Sequence, residues 1–541
     1  MNRDARHPLI TGTVVTSLGT LVSRGLGLLR DMTTAALLGM SQGGVADAFW
    51  FAYRVPNLFR QLFGEGAMTA SYLPVLAVQL ERDPQVARQL ATVVVTLLTV
   101  FLASLVALGE LLFGLIWLVW GGAPGVGLLV GLSAVMLPYL LFICIAAQLT
   151  AMLYAARHFT VPALAPTILN IVWLIAAWGV APWFAPDEVA QAYVLAVAVL
   201  LAGVAQIVVQ VPMLRRLGFH FDFHWPAARE GVIQITRNLT PMLIGLAVTQ
   251  INTFIDSLIA WGLAATPEGP QSFSCLGRTV NYPMWQGAVA AIYFGDRMCE
   301  FPLGVVGLAV AVAIFPLLSR HADRGDYRQL GRDMTVGLRL VFCLAVPAGV
   351  GLFLLAEPIT RLLFQRGHFQ PADTIRAARM VAWYGTGVWA YCESAVIVRG
   401  FYAMNDSRTP ARIAVWVVGL NLLLNLTLIW PFAEAGLAMS TSVSAAVQVL
   451  LLMAIFSRRR APLVWRSLAA TAIRTALSTV AMAAVVQLAM WAPLPSSDRL
   501  VGQLLRVGVP LAAGMAAYGA VYLLLGGREL SMLLSGNIDD Q

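Results

Sequence analysis

Residues 23–74 read SRGLGLLRDMTTAALLGMSQGGVADAFWFAYRVPNLFRQLFGEGAMTASYLP. The stretch has the apolar length of two membrane-crossing helices, yet it contains Arg24, Arg30, Asp31, Asp47, Arg54, Arg60 and Glu65. A charge at mid-bilayer costs about 2.5 to 3.5 kcal/mol on insertion scales, and such residues face a bundle interior or a watery cavity. So many in two helices imply a polar cavity inside the membrane, with the rest of the chain building its wall.

The rest of the chain has the composition that such a wall needs. The 541 residues are 59% hydrophobic and 11% charged, with a mean hydropathy of +0.77, where soluble domains carry about 25% charged residues. This is a polytopic membrane protein. MNRDARHPLI leads directly into a long apolar segment without a short apolar core and cleavage site, so the first span is expected to remain in the mature protein. All 35 basic residues are arginine, the side chain that stays charged in any surroundings and grips phosphate with two parallel bonds. The net charge of +8 is not a nucleic-acid footprint, because the basic residues concentrate in short loops as the positive-inside rule requires.

Apolar runs long enough to span fall at about 9–38, 46–78, 90–119, 126–156, 161–184, 189–214, 232–263, 286–319, 334–356, 373–404, 410–431, 436–457, 467–491 and 502–526. Fourteen spans place both ends on one side. The N-terminus and even-numbered connections hold eighteen arginines and the odd connections five, namely Arg278, Arg361, Arg366, Arg499 and Arg506. Both termini are therefore expected in the cytoplasm.

An internal repeat divides the chain. Tyr154-Ala155 followed by Pro162-Ala163 recurs 248 residues later as Tyr402-Ala403 followed by Pro410-Ala411, and Arg54 before Pro74 corresponds to Arg297 before Pro316. Six helices separate the copies, so both halves enter the membrane in the same sense and a substrate site is expected between them. The fold class is an all-α membrane protein: a six-helix lobe over 1–220, a second over 221–460, and two further spans over 461–541. The long polar connection 264–285 is either a cap on the cavity or a surface loop.

The candidate site is cationic. Arg24, Arg54, Arg60 and Arg297 outnumber the carboxylates that can obviously pair with each, and an excess of positive charge in a cavity asks for an anion; a pyrophosphate satisfies several guanidinium groups at once. Arg30 is a further candidate for binding the substrate, or in a structural reading pairs with Asp31 or Asp47. Asp296, Arg297 and Glu300 share a helix face and, in the plainer reading, neutralise one another. Glu393 and Arg399 are a further candidate pair. Asp256 is a weak cation-site candidate, since no oxygen-rich cluster accompanies it, while Asn170, Asn421 and Asn425 are explained by interhelical hydrogen bonds. Four of the five scattered cysteines lie in apolar spans and read as core residues, and His220, Asp222 and His224 read as a solvated loop, with no metal site or cofactor expected.

Four strings then carry a resemblance: SRGLGLLRD, ADAFWFAYRVPNLFRQLFGEGAMTASYLPVL, YFGDRMCEFPLGVVGLAVAVAIFPLLS and FYAMNDSRTPARIA. In order and across nearly the whole chain, they resemble the MurJ (MviN) family of lipid II flippases, within the multidrug, oligosaccharidyl-lipid and polysaccharide exporter superfamily. The resemblance implies a transporter, not an enzyme, that moves undecaprenyl-pyrophosphate disaccharide-pentapeptide across the bacterial cytoplasmic membrane. It implies essential arginines at Arg24, Arg60 and Arg297, supporting acids at Asp31, Asp47, Glu65, Asp296 and Glu300, and a lipid-tail groove in the last two spans. Lipid II and membrane lipids are the expected partners, with the cell-wall synthesis and division machinery beyond them, and the chain is expected to be a monomer. Gln61 stands where some relatives have a second arginine. The rivals are a cation or drug antiporter, which calls for a carboxylate-rich and aromatic cavity, and a membrane enzyme on polyprenyl phosphates, which calls for a metal or a nucleophile–histidine pair that the spans lack.

Overall fold

The computed structural model describes residues 3–41, 43–267, 269–275, 277–459, 461–492 and 500–529; of residues 3–17, Glu65 and a few others only the backbone is described. Each apolar run is a helical rod. Helix α1 is Arg3–Leu38. Helix α2 begins as Val45–Phe59, passes through a π-helical turn at Arg60–Glu65 and continues as Ala67–Arg82. Then come α3 (Pro84–Trp120), α4 (Val126–Ala155), α5 (Thr160–Phe184) and α6 (Glu188–Arg216). After α7 (Trp225–Gly262) follow α8 (Ala288–Asp323), α9 (Tyr327–Leu354), a short helix Ala356–Phe364, α10 (Pro371–Ala403), α11 (Arg408–Phe432) and α12 (Glu434–Arg459). Helices α13 (Trp465–Trp491) and α14 (Leu500–Leu524) complete the bundle.

Among the described residues, ten of these rods are long and apolar enough to cross a membrane: α3 to α6, α8, α9 and α11 to α14. The remaining four, α1, α2, α7 and α10, include the two that carry Arg24, Arg30, Arg54 and Arg60. Helix α8 carries Asp296, Arg297 and Glu300 and is still among the ten, so low hydropathy and charge coincide only in part.

The repeat is visible in backbone geometry as well as in residues. Gly44 and Gly287 both take a left-handed conformation (φ 68° and 98°) at the start of α2 and α8. Arg54 and Arg297 follow ten residues later, and a π-helical turn opens six residues after each, at Arg60 and at Leu303. Asp83 and Asp326 then cap α3 and α9 through their side chains, as an oxygen at a helix N-terminus does for the unpaired N–H groups there. Arg157 and Asn405, 248 residues apart, are both left-handed (φ 58° and 57°) after the Tyr-Ala pairs. A π-helical turn inserts one extra residue and is frequent at functional positions.

Helices α1 to α6 pack on one another, and α8 to α12 do likewise. Helix α7 bridges the two groups, lying against α2 and α3 on one side and α11 on the other. Helices α13 and α14 pair and dock on α9 and the short helix. They are fixed by a buried polar knot: Arg339 of α9 meets Glu529 at 2.6 Å, and Glu529 also accepts bonds from Thr471 (2.6 Å) and Tyr522 (2.8 Å).

The halves are fastened together at one end of the bundle. Both oxygens of Asp47, near the start of α2, accept N–H groups at the start of α8, from Gly287 at 2.5 Å and Ala290 at 2.9 Å. Arg376 donates to Glu434 (2.6 Å), to the Gln286 carbonyl (2.8 Å) and to Ser41 (3.0 Å), and His368 lies 2.6 Å from Glu188. Gly39, at φ +61°, admits the His368 carbonyl so closely that a β-carbon there would collide with it. Below this lies an aromatic cluster in which Trp50 of α2 stacks on Tyr293 of α8 with ring centres 3.5 Å apart, edge-on to Phe49 and Phe294.

The connection 264–285 carries short strands. It is an ordered ribbon at the fastened end: β2 (Ser272–Cys275) and β3 (Arg278–Asn281) form an antiparallel hairpin, while β1 (Ala264–Ala265) pairs in parallel with β4 (Met284–Trp285). Among the described residues, none of the connection lines the cavity described next.

Candidate functional site

A cavity of about 770 Å³ runs from Trp50 and Tyr293 to Tyr154 and Pro162, beside the Arg157 turn at the opposite end of the bundle. Arg24, Arg30, Arg54, Arg60 and Arg297 all line it, together with Asp296 and Glu300. The arginines come from α1, α2 and α8, and converge because α1 and α2 lie beside α8, the repeat mate of α2.

Local bonding sorts these groups. Asp31 is fully buried and serves two guanidinium groups at once: Arg30 at 2.7 Å through one oxygen and Arg297 at 2.8 Å through the other. Tyr293 completes the bridge, donating to Asp31 at 3.0 Å and accepting from Arg30 at 3.2 Å. Arg30 also lies 4.8 Å from the Trp173 ring centre, a cation–π contact. Arg30 is therefore structural, as one reading of its sequence position had it, and its partner is Asp31, not Asp47. Arg297 is paired a second time by the exposed Glu300, so the self-neutralising reading of GDRMCE holds for that arginine.

The other arginines of the cavity are bonded differently. Arg24 is exposed to the cavity and, among the described residues, has no hydrogen-bond or ion-pair partner. Arg54 donates to the Thr253 carbonyl (3.0 Å) and Ser257 (2.5 Å) of α7, and makes no ion pair among the described residues. Arg60, in the π-helical turn, donates its Nε to Asn57 at 2.9 Å. Guanidinium carries five N–H donors, of which the contacts named here for Arg54 engage only one nitrogen. Asp296 faces the same cavity.

Two expectations change. Asp47 touches no arginine of the cavity and instead caps α8. Glu393 and Arg399 are not a pair: Glu393 is buried with one oxygen unpartnered among the described residues, and Arg399 donates to the Leu308 carbonyl. Asp256 is held by Asn425 at 2.6 Å, which in turn donates to Asn421 at 2.9 Å, and no group of three metal-type side chains occurs among the described residues. Asn170 donates to the Ser23 carbonyl of α1 at 3.0 Å, the interhelical role expected of it. The Glu65 side chain lies outside the described residues.

Sequence reasoning did not single out Tyr53, Tyr293, Thr150, Gln206 or Gln210, all of which line the cavity. The spacing of Gln206 and Gln210, one helical turn apart in an otherwise apolar span, was the available signal.

Comparison with known proteins now gives the arrangement a family. The family described as lipid II flippase MurJ matches residues 34–496. A probable lipid II flippase MurJ of Vibrio cholerae serotype O1 is 32% identical over 539 residues, covering 96% of this chain and 97% of that protein. A solved structure titled lipid II flippase MurJ, inward closed conformation, superposes with a TM-score of 0.73 over 96% of this chain and all of that one at 22% identity. An inward-facing multidrug resistance MATE family transporter of the MOP superfamily shares the fold more distantly, with a TM-score of 0.59 at 14% identity over 80% of this chain and 98% of that one. With its family matched across most of its length and an end-to-end relative at nearly one-third identity, the chain belongs to the lipid II flippase MurJ family.

Proposed function

We propose that this protein carries lipid II, the undecaprenyl-pyrophosphate-linked peptidoglycan precursor, from the inner to the outer leaflet of the bacterial cytoplasmic membrane. It is a multi-pass transporter and not an enzyme. In this reading all fourteen rods span, residues 1–220 and 221–460 are two lobes of like orientation, and α13 with α14, over 461–541, offers a groove for the lipid tail. Both termini are cytoplasmic, the unit is a monomer, and no cofactor takes part. The lobes rock about the cavity so that it opens first to one face and then to the other.

The observation that carries the reading is the single cavity shared by five arginines. Arg24 brings donors that no carboxylate engages among the described residues, Arg60 lines the same cavity from the π-helical turn, and Arg297 stands at the cavity wall with its charge divided between Asp31 and Glu300. These three hold the pyrophosphate, with Arg54 behind them and Arg30 keeping Asp31 in place. A diphosphate matches guanidinium geometry through paired charge-assisted bonds, and its arrival compensates positive charge that is expensive in a membrane interior. Asp296 and Glu300 limit that cost while the cavity is empty.

The experiment is rescue of a strain depleted of its own lipid II flippase. Arg24→Ala, Arg60→Ala and Arg297→Ala, at normal abundance in the membrane, are each expected to fail. Full rescue by all three would overturn the assignment.

A further inference from the structure

The cavity has two chemically different walls. Its charged residues come from α1, α2 and α8, whereas those contributed by α4 and α6 are all uncharged. On that neutral wall Gln210 is fully buried and fixed: its Nε2 donates to the Ala146 carbonyl (3.2 Å) and the Gln206 carbonyl (3.0 Å), and its Oε1 accepts the Thr150 hydroxyl at 2.9 Å. The Thr150 hydroxyl, its proton committed to Gln210, faces the cavity as an acceptor.

Gln206 lies one turn before Gln210 on the same face of α6. Only 3% of it is exposed, it lines the cavity, and among the described residues its side-chain amide has no hydrogen-bond partner. Leaving a buried amide unpaired is costly. One that borders an open cavity is a donor and an acceptor held ready for a ligand.

The repeat separates function from fold here. The residue 248 positions after Thr150, in the register that pairs Tyr154 with Tyr402, is Val398. The second half builds the same helix with an apolar side chain, so the fold does not need the hydroxyl.

We propose that Gln206 and Thr150 form a carbohydrate subsite, which reads the hydroxyl and acetamido groups of the sugar attached to the pyrophosphate. This rests on the reading of the arginine wall as a pyrophosphate site. A sugar brings no charge for guanidinium to match, but it presents donors and acceptors side by side, and a primary amide supplies one of each. The cavity volume of about 770 Å³ lies within the roughly 300–1,000 Å³ of pockets that bury drug-sized ligands. It has room for a sugar next to the diphosphate. The neutral wall therefore distinguishes a glycosylated carrier lipid from the bare pyrophosphate lipid left once the sugar has been removed.

The test uses the full-length protein in lipid nanodiscs, titrated with undecaprenyl pyrophosphate and with the same lipid carrying the N-acetylated disaccharide. Wild type is expected to bind the disaccharide form more tightly. Gln206→Leu is expected to weaken the disaccharide form by about tenfold and to leave the sugar-free lipid unchanged. Thr150→Val, which copies the residue of the second half and so guards against misfolding, shifts the ratio in the same direction. Equal affinity of wild type for both lipids, or a loss in Gln206→Leu that is the same for both or absent for both, overturns the proposal. The pyrophosphate reading fails separately: Arg24→Ala and Arg60→Ala would then bind the sugar-free lipid as wild type does.

Discussion

Arg297 reaches from α8 to lay its Nη2 over Gly27 of α1, 3.0 Å from where a β-carbon would stand. Arg24 of α1 lies in the same manner over Gly304, in the π-helical turn of α8. The two helices therefore exchange arginines, each guanidinium lying over a glycine of the other. Each glycine makes room for the guanidinium of the other helix, which positions both charges at the cavity wall.

Substituting either glycine is expected to move an arginine while sparing the fold, because the obstructing atoms belong to flexible side chains. Gly27→Ala and Gly304→Ala are each expected to weaken binding of a pyrophosphate lipid by about tenfold, the scale of one charge-assisted hydrogen bond. Titration in nanodiscs, with thermal unfolding as control, measures both quantities. Unchanged affinity would remove the two glycines from the account of the site.

Asp31→Asn strips the shared anion from between Arg30 and Arg297. Removing one partner of a buried ionic group typically costs about 3–5 kcal/mol. A clear fall in unfolding temperature is expected, alongside loss of rescue in the depletion strain. By contrast Glu300→Gln, at an exposed carboxylate, is expected to leave the unfolding temperature nearly unchanged.

Asp47→Ala tests the fastened end. Losing the carboxylate that caps α8 costs about 1–2 kcal/mol and removes a tie between the halves. Labelling of a cysteine placed at Ser41 should become faster, since Ser41 sits in the same set of contacts. Labelling at the wild-type rate would show that Arg376 and His368 suffice to keep that end shut.

The docking of α13 and α14 should be sensitive to acid. Although burial acts to raise Glu529, hydrogen bonds from Thr471, Tyr522 and Arg339 hold it down to about 2, against an ordinary 4.5. A carboxylate held low contributes stability above its ordinary value and loses it as the pH falls from about 4.5 towards about 2. Thermal stability of wild type should drop through that window. In Glu529→Gln the protein starts less stable and the drop is smaller.

Apolar periodicity made the rods legible: the runs 189–214 and 467–491 are α6 and α13 to within two residues at each end. Paired motifs such as Arg54 and Arg297 made the repeat legible, because identity at fixed spacing survives in a single chain. Partner choice was not legible. Asp31 directly follows Arg30 and Asp47 stands seven residues before Arg54, and only the approach of α8 decides that one bridges guanidinium groups while the other caps a helix. Glu393 and Arg399 have a plausible local spacing, but backbone carbonyls and neighbouring helices compete for them. The hairpin in 264–285 was hidden for a related reason, since two four-residue strands in a polar loop carry too little alternation to be read.

The π-helical turns at Arg60 and Leu303 have a consequence for azimuth. Each surplus residue rotates everything beyond it by roughly 100° about the helix axis, and it does so at matching places in the two halves. Excising one residue from a single turn would keep composition, charge and length almost intact while swinging the remainder of that rod to a new heading. The pseudo-symmetry of the vestibule is in this sense a matter of phase, set by a one-residue surplus on either side.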